Sequence, residues 1–366
     1  MSPLQRLREF GQSPWLDDLR RGMFLDGRFR RLMEEDGICG ITSNPTILAR
    51  AILETDDYRE PIARLSTRYP DNVALYEALL REDIRLAADT LRPVYESSGR
   101  TDGLVSLEIS PELANDTPAS IREALRLWQA MDRPNIMIKI PATNAGLPVI
   151  RELIALGINV NATLIFSPAR YVQVAEAWQQ GLTARLESGQ SIEHIASVAS
   201  FFVSRIETLA DRLLAERAGT NPDAAQLQGK VAVAAAKLAY REFQRLHDSR
   251  EWRMLLEAGA RVQRPLWAST STKNPEYSDV KYVEALIGPD TVTTLPLATI
   301  EAYRDHGQPT PRLTADMGEA EAVFASLPSV GIDFAALARQ LETEGVAKFV
   351  DSYQQLLAAL SQATPA

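Results

Sequence analysis

Lys139 stands in the middle of Ile136-Met137-Ile138-Lys139-Ile140-Pro141, a run whose alternate residues are isoleucine. Neighbours in an extended strand point to opposite faces, so isoleucines on one face leave Lys139 projecting from the other. The same alternation sets Ser106 and Glu108 opposite Val105, Leu107 and Ile109, and puts Asn161 and Thr163 together in Val160-Asn161-Ala162-Thr163-Leu164. In Ala199-Ser200-Phe201-Phe202-Val203 it pairs Ser200 with Phe202. Confinement in a poorly solvated cavity favours the neutral form of an amine, which attacks a ketone to give a carbinolamine and then an iminium ion. The iminium draws electrons from the adjacent carbon–carbon bond, so cleavage leaves an enamine instead of a free carbanion. Carboxylates such as Glu108 and Asp17 can supply the proton transfers. No cofactor is needed for this chemistry.

Each of these residues also has a plain structural reading. A strand lysine can snorkel to solvent, and Glu108 can be its ion-pair partner. Thr163 is a favourable strand former, and Asn44, before Pro45, is by default a helix cap. Asp17 beside Asp18 reads as a solvated loop pair, Trp15, Trp267 and Phe202 as packing residues, and Cys39 as a small buried group facing a helix layer. Two cations point to an anionic handle on a substrate: Arg205, just after Phe202, and Lys273, after the hydroxyl-rich Ser269-Thr270-Ser271-Thr272. Either by itself reads more readily as a surface charge.

The elements that must position these side chains follow from eight short apolar, β-branched runs. They are residues 14–16, 37–42, 104–109, 136–141, 159–166, 198–203, 265–269 and 291–295. Helical patterns alternate with them, which predicts parallel βαβ units, and without a GxGxxG fingerprint eight such units favour a closed (β/α)8 barrel. Asn44-Pro45, Thr117-Pro118, Ser167-Pro168 and Asn221-Pro222 each place a capping side chain before a proline, the preferred opening of a helix. Extra helical sequence falls between Pro61 and Leu91, within 219–247 and after Asp316. The expectation is one domain, 1–366, with 317–366 a C-terminal helical extension that breaks near Pro328 and Gly331 and frays over 363–366. Polar residues at successive inward strand positions are unusual in such a barrel, whose interior is normally filled by branched aliphatics, and suggest an active site.

Composition narrows the partners. The net charge of −9 comes with no basic stripe, which argues against a nucleic-acid groove or an anionic membrane surface. The single Cys39 rules out an internal disulfide and a thiolate zinc site, and His194, His247 and His306 have no metal-ligand spacing. The first fifteen residues have mixed charge and no apolar core, unlike a signal peptide, so the expected place is the cytoplasm.

Three motifs resemble the transaldolases in their longer bacterial form: Gly40-Ile41-Thr42-Ser43-Asn44-Pro45-Thr46, Ile136 to Thr143, and Asn159 to Ser167. The resemblance runs from about Trp15 to about Arg304. It implies that Lys139 is the Schiff-base lysine and Asp17 the acid/base acting on the substrate hydroxyl. By the same resemblance, Glu108 and Thr163 position a water for proton transfer, Asn44 and Asn161 hold the dihydroxyacetone hydroxyls, and Ser200 with Arg205 binds phosphate. The shorter members have an arginine where Lys273 falls, with fewer residues before it, and differ after Lys139 as well. The implied reaction moves dihydroxyacetone from sedoheptulose 7-phosphate or fructose 6-phosphate to glyceraldehyde 3-phosphate or erythrose 4-phosphate. Three alternatives stand beside it. One is a fructose 6-phosphate aldolase, whose members carry glutamine at Glu108 and tyrosine at Phe202; another is a silent sugar-phosphate-binding barrel. The third is a pyridoxal-phosphate enzyme, for which no glycine-rich phosphate loop is present.

Overall fold

The computed structural model describes residues 1–363. Eight parallel strands close into a barrel in chain order, each paired with the next and the last with the first. They are β1 Gln12–Asp17, β2 Gly40–Thr42, β3 Leu104–Glu108, β4 Ile136–Pro141, β5 Val160–Ile165, β6 Ser197–Phe202, β7 Arg264–Ala268 and β8 Thr291–Leu295. Each run read as a strand from the sequence forms one. The largest shift is in β2, because Gly37 takes a left-handed φ of 73° to end the helix Arg28–Asp36 and the chain straightens only at Gly40.

Local sequence explains most helix starts. Asn44 and Ser167 cap Pro45–Glu54 and Pro168–Glu187 by accepting from the N–H groups of Ile47 and Arg170 at 3.0 and 3.1 Å. Thr117 does not cap its helix. Asp116 does, accepting from Ala119 N–H at 2.9 Å, which frees the Thr117 hydroxyl to donate to Ala145 O at 2.6 Å. A carboxylate there also meets the positive end of the helix dipole. Asn221 closes a tight turn onto Asp223 N–H at 3.1 Å, so that helix starts at Asp223, after the proline instead of on it.

The extra helical sequence takes three forms. After β2 the chain adds Arg59–Ser66 and the long Asn72–Ser97. Between β6 and β7 it adds Asp223–Leu227, Val231–His247 and Arg250–Glu257. After β8 come Leu297–His306, Met317–Ser326 and Phe334–Ala363, the break falling at Pro328–Val330 and at Gly331, where φ is 76°. The expected fraying of 364–366 lies outside the described residues. Among the described residues no single helix is long and apolar enough to cross a membrane, and the two C-terminal segments pass such a test only as a pair bent by 93°.

In β4 Lys139 lines the cavity at the strand ends, while Ile136, Ile138 and Ile140, which do not, are at most 1% exposed, each contributing roughly 1.5–3 kcal/mol relative to a solvated side chain. Trp15 fills the interior below the site, against the face of Gly40. At the lower end Arg264 donates to Ser13 Oγ at 2.7 Å and Asp102 Oδ1 at 3.1 Å. Cys39 is buried as expected but does not sit in an apolar helix layer. Its Sγ donates to Pro14 O at 3.4 Å, and burial first, then Asp102, hold its pKa well above the ordinary thiol value, while Arg8, Arg264 and Ser13 draw it down. The cause is its place just before β2, where the chain has not yet entered the strand's alternation.

A Cβ on Gly40 would stand 2.4 Å from the Trp15 indole, a bulky ring that is itself fully buried. Gly40→Ala is therefore expected to lower stability by about 2 kcal/mol, read as a lower midpoint in urea at unchanged m-value. An unchanged midpoint would show that Trp15 moves aside freely.

Candidate active site

The upper ends of the strands enclose a cavity of about 260 Å³. Its wall includes Asp17 from β1, Lys139 from β4, Thr163 from β5 and Ser200 and Phe202 from β6, with Asn44, Arg205 and Lys273 on the loops and helix starts beyond them. Two sequence-derived candidates lie beside it. Asn161 is fully buried beneath the wall, and Glu108 lines a neighbouring cavity of about 260 Å³ with Tyr76, Tyr353 and the shared Asn44.

Lys139 reaches Ser43 O at 2.9 Å and Glu108 Oε2 at 3.5 Å. The register explains the second contact, because Glu108 pairs directly with Lys139 across β3 and β4, and Lys139 in turn with Asn161 on β5. Burial raises the Glu108 pKa above the usual carboxyl value, while Lys139 and Arg205 draw it back down. Among the described residues neither Glu108 oxygen has a hydrogen bond, and the buried Thr163 hydroxyl has none either. Such atoms call for a partner, which a substrate or bound water can supply.

Asp17 lies part-accessible on the cavity wall, yet protein surrounds it closely enough that burial pushes its pKa up to about 6. Lys139 opposes that rise, Asp18 adds to it, and Arg205 and Lys273 oppose it more weakly. Its carboxylate makes no hydrogen bond or salt bridge among the described residues.

Ser200 donates to Asn161 Oδ1 at 2.7 Å and Asn161 Nδ2 donates to Ser106 Oγ at 2.9 Å, a buried chain across β6, β5 and β3. The Ser200 proton is thus directed at Asn161 and not into the cavity. Asn44 spends Oδ1 on its cap and leaves Nδ2 without an acceptor among the described residues. The Arg205 guanidinium lies 5.2 Å from the Phe202 ring and 5.7 Å from Phe349, and donates no hydrogen bond among the described residues. Burial depresses its pKa, and Glu108 and Asp17 partly restore it. Lys273 donates to Ser271 Oγ at 2.8 Å and faces the same space.

Two backbone features shape this end of the barrel. Between Ala162 and Ile165 on β5 stand two residues, Thr163 and Leu164, against the single Ser200 on β6. That bulge holds Leu164 at φ 60°, a left-handed conformation that a leucine adopts only under constraint. Ser269, after β7, has φ 57° and shares a 2.8 Å hydrogen bond with Ser204.

Sequence reasoning predicted the C-terminal helix but not its residues at the site, where it crosses the barrel mouth. Phe349 is 1% exposed and lies 5.9 Å from Lys139 Nζ. Lys348 lines the catalytic cavity and Tyr353 the Glu108 cavity. The helix is held by Ser352–Thr46 at 2.8 Å and Glu342–Arg170 at 3.2 Å. Arg50, on the helix capped by Asn44, was missed as well, although its place two turns after a strand end is a local signal. No local signal marks Lys348 or Phe349, which lie far from any strand.

The Asp17 carboxyl is expected to titrate near 6, followed by 13C NMR on labelled aspartate and assigned with Asp17→Asn. Lys139→Met removes a positive neighbour and is expected to move the midpoint higher. A midpoint near the ordinary 3.8 in both proteins would mean a well-solvated group.

The description of the transaldolase/fructose-6-phosphate aldolase family matches residues 14–360, past Arg304 and through the C-terminal helix. Transaldolase 2 of a Nostoc species is 46% identical over 366 aligned positions, spanning 98% of this chain and 96% of that protein. The transaldolase of Frankia alni is 44% identical, covering 99% and 97%, and that of Thermobifida fusca 44%, covering 99% and 98%. With a barrel closed in chain order and agreement over nearly its whole length, the chain belongs to the transaldolase/fructose-6-phosphate aldolase family.

Proposed function

We propose that the chain is a transaldolase that carries a dihydroxyacetone unit from a ketose phosphate to an aldose phosphate on Lys139. The donors are sedoheptulose 7-phosphate or fructose 6-phosphate, and the acceptors glyceraldehyde 3-phosphate or erythrose 4-phosphate. The observation that carries this reading is the buried Lys139 amine, ion-paired to Glu108 at 3.5 Å and sharing a cavity wall with the unpartnered Asp17 carboxylate, where the other charges are cations.

Lys139 Nζ adds to the ketone carbon. Glu108 and Thr163, whose unmatched polar atoms can hold a water between them, protonate the departing hydroxyl so that water leaves and the iminium remains. Asp17 then takes the proton from the substrate hydroxyl next to the breaking bond. The carbon–carbon electron pair moves into the iminium, and the aldose phosphate departs. Asn44, through its free Nδ2, and Asn161 hold the hydroxyls of the enamine. A second aldehyde accepts the enamine carbon, Asp17 returns the proton, and water releases the product from Lys139. Arg205, with five donors unused, holds the phosphate beside Lys273. Ser200 contributes to that subsite only by turning its hydroxyl away from Asn161. We read residues 1–366 as one domain, with the C-terminal helix a wall of the site.

Borohydride added with fructose 6-phosphate is expected to leave a reduced sugar adduct on Lys139, located by peptide mass mapping. Lys139→Ala should show no adduct and lose about 10⁴-fold or more in kcat while staying folded. Turnover that depends on an acceptor aldehyde separates transfer from release of free dihydroxyacetone. Arg205→Ala should raise KM for phosphorylated substrates at least about tenfold with a smaller change in kcat. An unchanged KM would place the phosphate elsewhere.

A further inference from the structure

We infer that Lys348, on the C-terminal helix, is a phosphate ligand of the ketose site and sets its preference for phosphorylated over unphosphorylated sugars. The inference rests on the reading above, in which Arg205 carries the phosphate.

Lys348 lines two adjoining cavities, the catalytic one and another of about 550 Å³ on the outer side of Arg205. Arg205, Ser269 and Lys273 are the residues it shares them with, so these four form the partition between the two spaces. A phosphate seated on Arg205 therefore has Lys348 within the same wall. Nothing in the protein occupies this lysine: it makes no hydrogen bond and no salt bridge among the described residues. A ready partner stands one turn earlier in Glu344, an i,i+4 pairing that helices readily form. Glu344 instead accepts from Gln340 Nε2 at 2.7 Å, leaving the ammonium to the cavity side.

The helix is also built to come close at this point. A Cβ on Gly345 would lie 3.1 Å from the Leu164 side chain and 3.5 Å from Arg205 Nη1, so glycine lets the helix settle on the β5 bulge and the guanidinium. The Phe349 ring closes over Arg205 one residue after Lys348. Burial, and then repulsion from Arg205, Lys273 and Arg50, lower the Lys348 pKa. A phosphate dianion relieves that repulsion by binding among the cations, and a neutral sugar does not.

The test is borohydride trapping on Lys139 of the full-length enzyme, titrated with fructose 6-phosphate and, separately, with dihydroxyacetone, which has the ketone but no phosphate. Lys348→Ala is expected to raise the half-saturating concentration of fructose 6-phosphate about tenfold and that of dihydroxyacetone less than about twofold. Lys348→Arg, which keeps the charge, should stay within about threefold of the parent enzyme for both. Equal losses for the two ketoses, or no loss for either, would overturn the inference. Arg205→Ala run in parallel separates the two readings. If it weakens fructose 6-phosphate selectively and Lys348→Ala does not, only the role of Lys348 fails. If Arg205→Ala is not selective either, the phosphate assignment itself fails.

Discussion

The site depends on keeping one amine inside a closed barrel. Removing an ammonium from water costs several kcal/mol even after the protein relaxes, and the cost is recovered only through close, well-aligned partners. Lys139 has one such partner, the Ser43 carbonyl at 2.9 Å, and a looser one in Glu108 at 3.5 Å. A barrel filled with branched aliphatic side chains could not hold it. This interior instead has a satisfied polar chain, Ser200–Asn161–Ser106, beside the lysine, and Trp15 packed against Gly40 below it. The unsatisfied atoms of Glu108 and Thr163 are thus confined to the end where chemistry takes place.

Holding the side chains there strains the backbone. Leu164 and Ser269 both adopt left-handed conformations, each costing on the order of 1–3 kcal/mol, and they flank the strand that carries Ser200 and Phe202. Neighbouring contacts hold both. The C-terminal helix rests on Leu164 through Gly345, and Ser204 holds Ser269 by a hydrogen bond. The bulge has a direct geometric result: two β5 residues face one β6 residue, so Thr163 stands at the cavity wall while Leu164 turns to the helix above.

Electrostatics then differ sharply between the molecule and its mouth. The chain as a whole carries −9, yet the catalytic cavity gathers Arg50, Lys139, Arg205, Lys273 and Lys348 against Asp17. A cationic cleft on an acidic protein concentrates anionic sugars locally while the rest of the surface repels them. Three of these cations, Lys139, Arg205 and Lys273, hold the Asp17 pKa below what burial alone would impose, so the proposed proton carrier and the proposed phosphate ligand share one field.

Much of this was legible in the sequence, for a physical reason. Strand alternation has a period of two, so one lysine among isoleucines already determined which way Lys139 points, and the same rule placed Glu108, Thr163 and Ser200 on the inner face. Proline after a capping residue marked the helices after β2 and β5, because that dipeptide satisfies the first N–H groups by itself. What the sequence could not determine are relations between segments far apart in the chain. The Thr117 hydroxyl went to Ala145 O, Cys39 fell among Asp102 and Ser13, and β5 bulged, each decided by neighbours that local pattern does not contain. The C-terminal helix is the largest case. Its periodicity predicted a helix, but only tertiary packing laid it across the mouth, since that depends on Gly345, Leu164, Thr46 and Arg170 meeting in space.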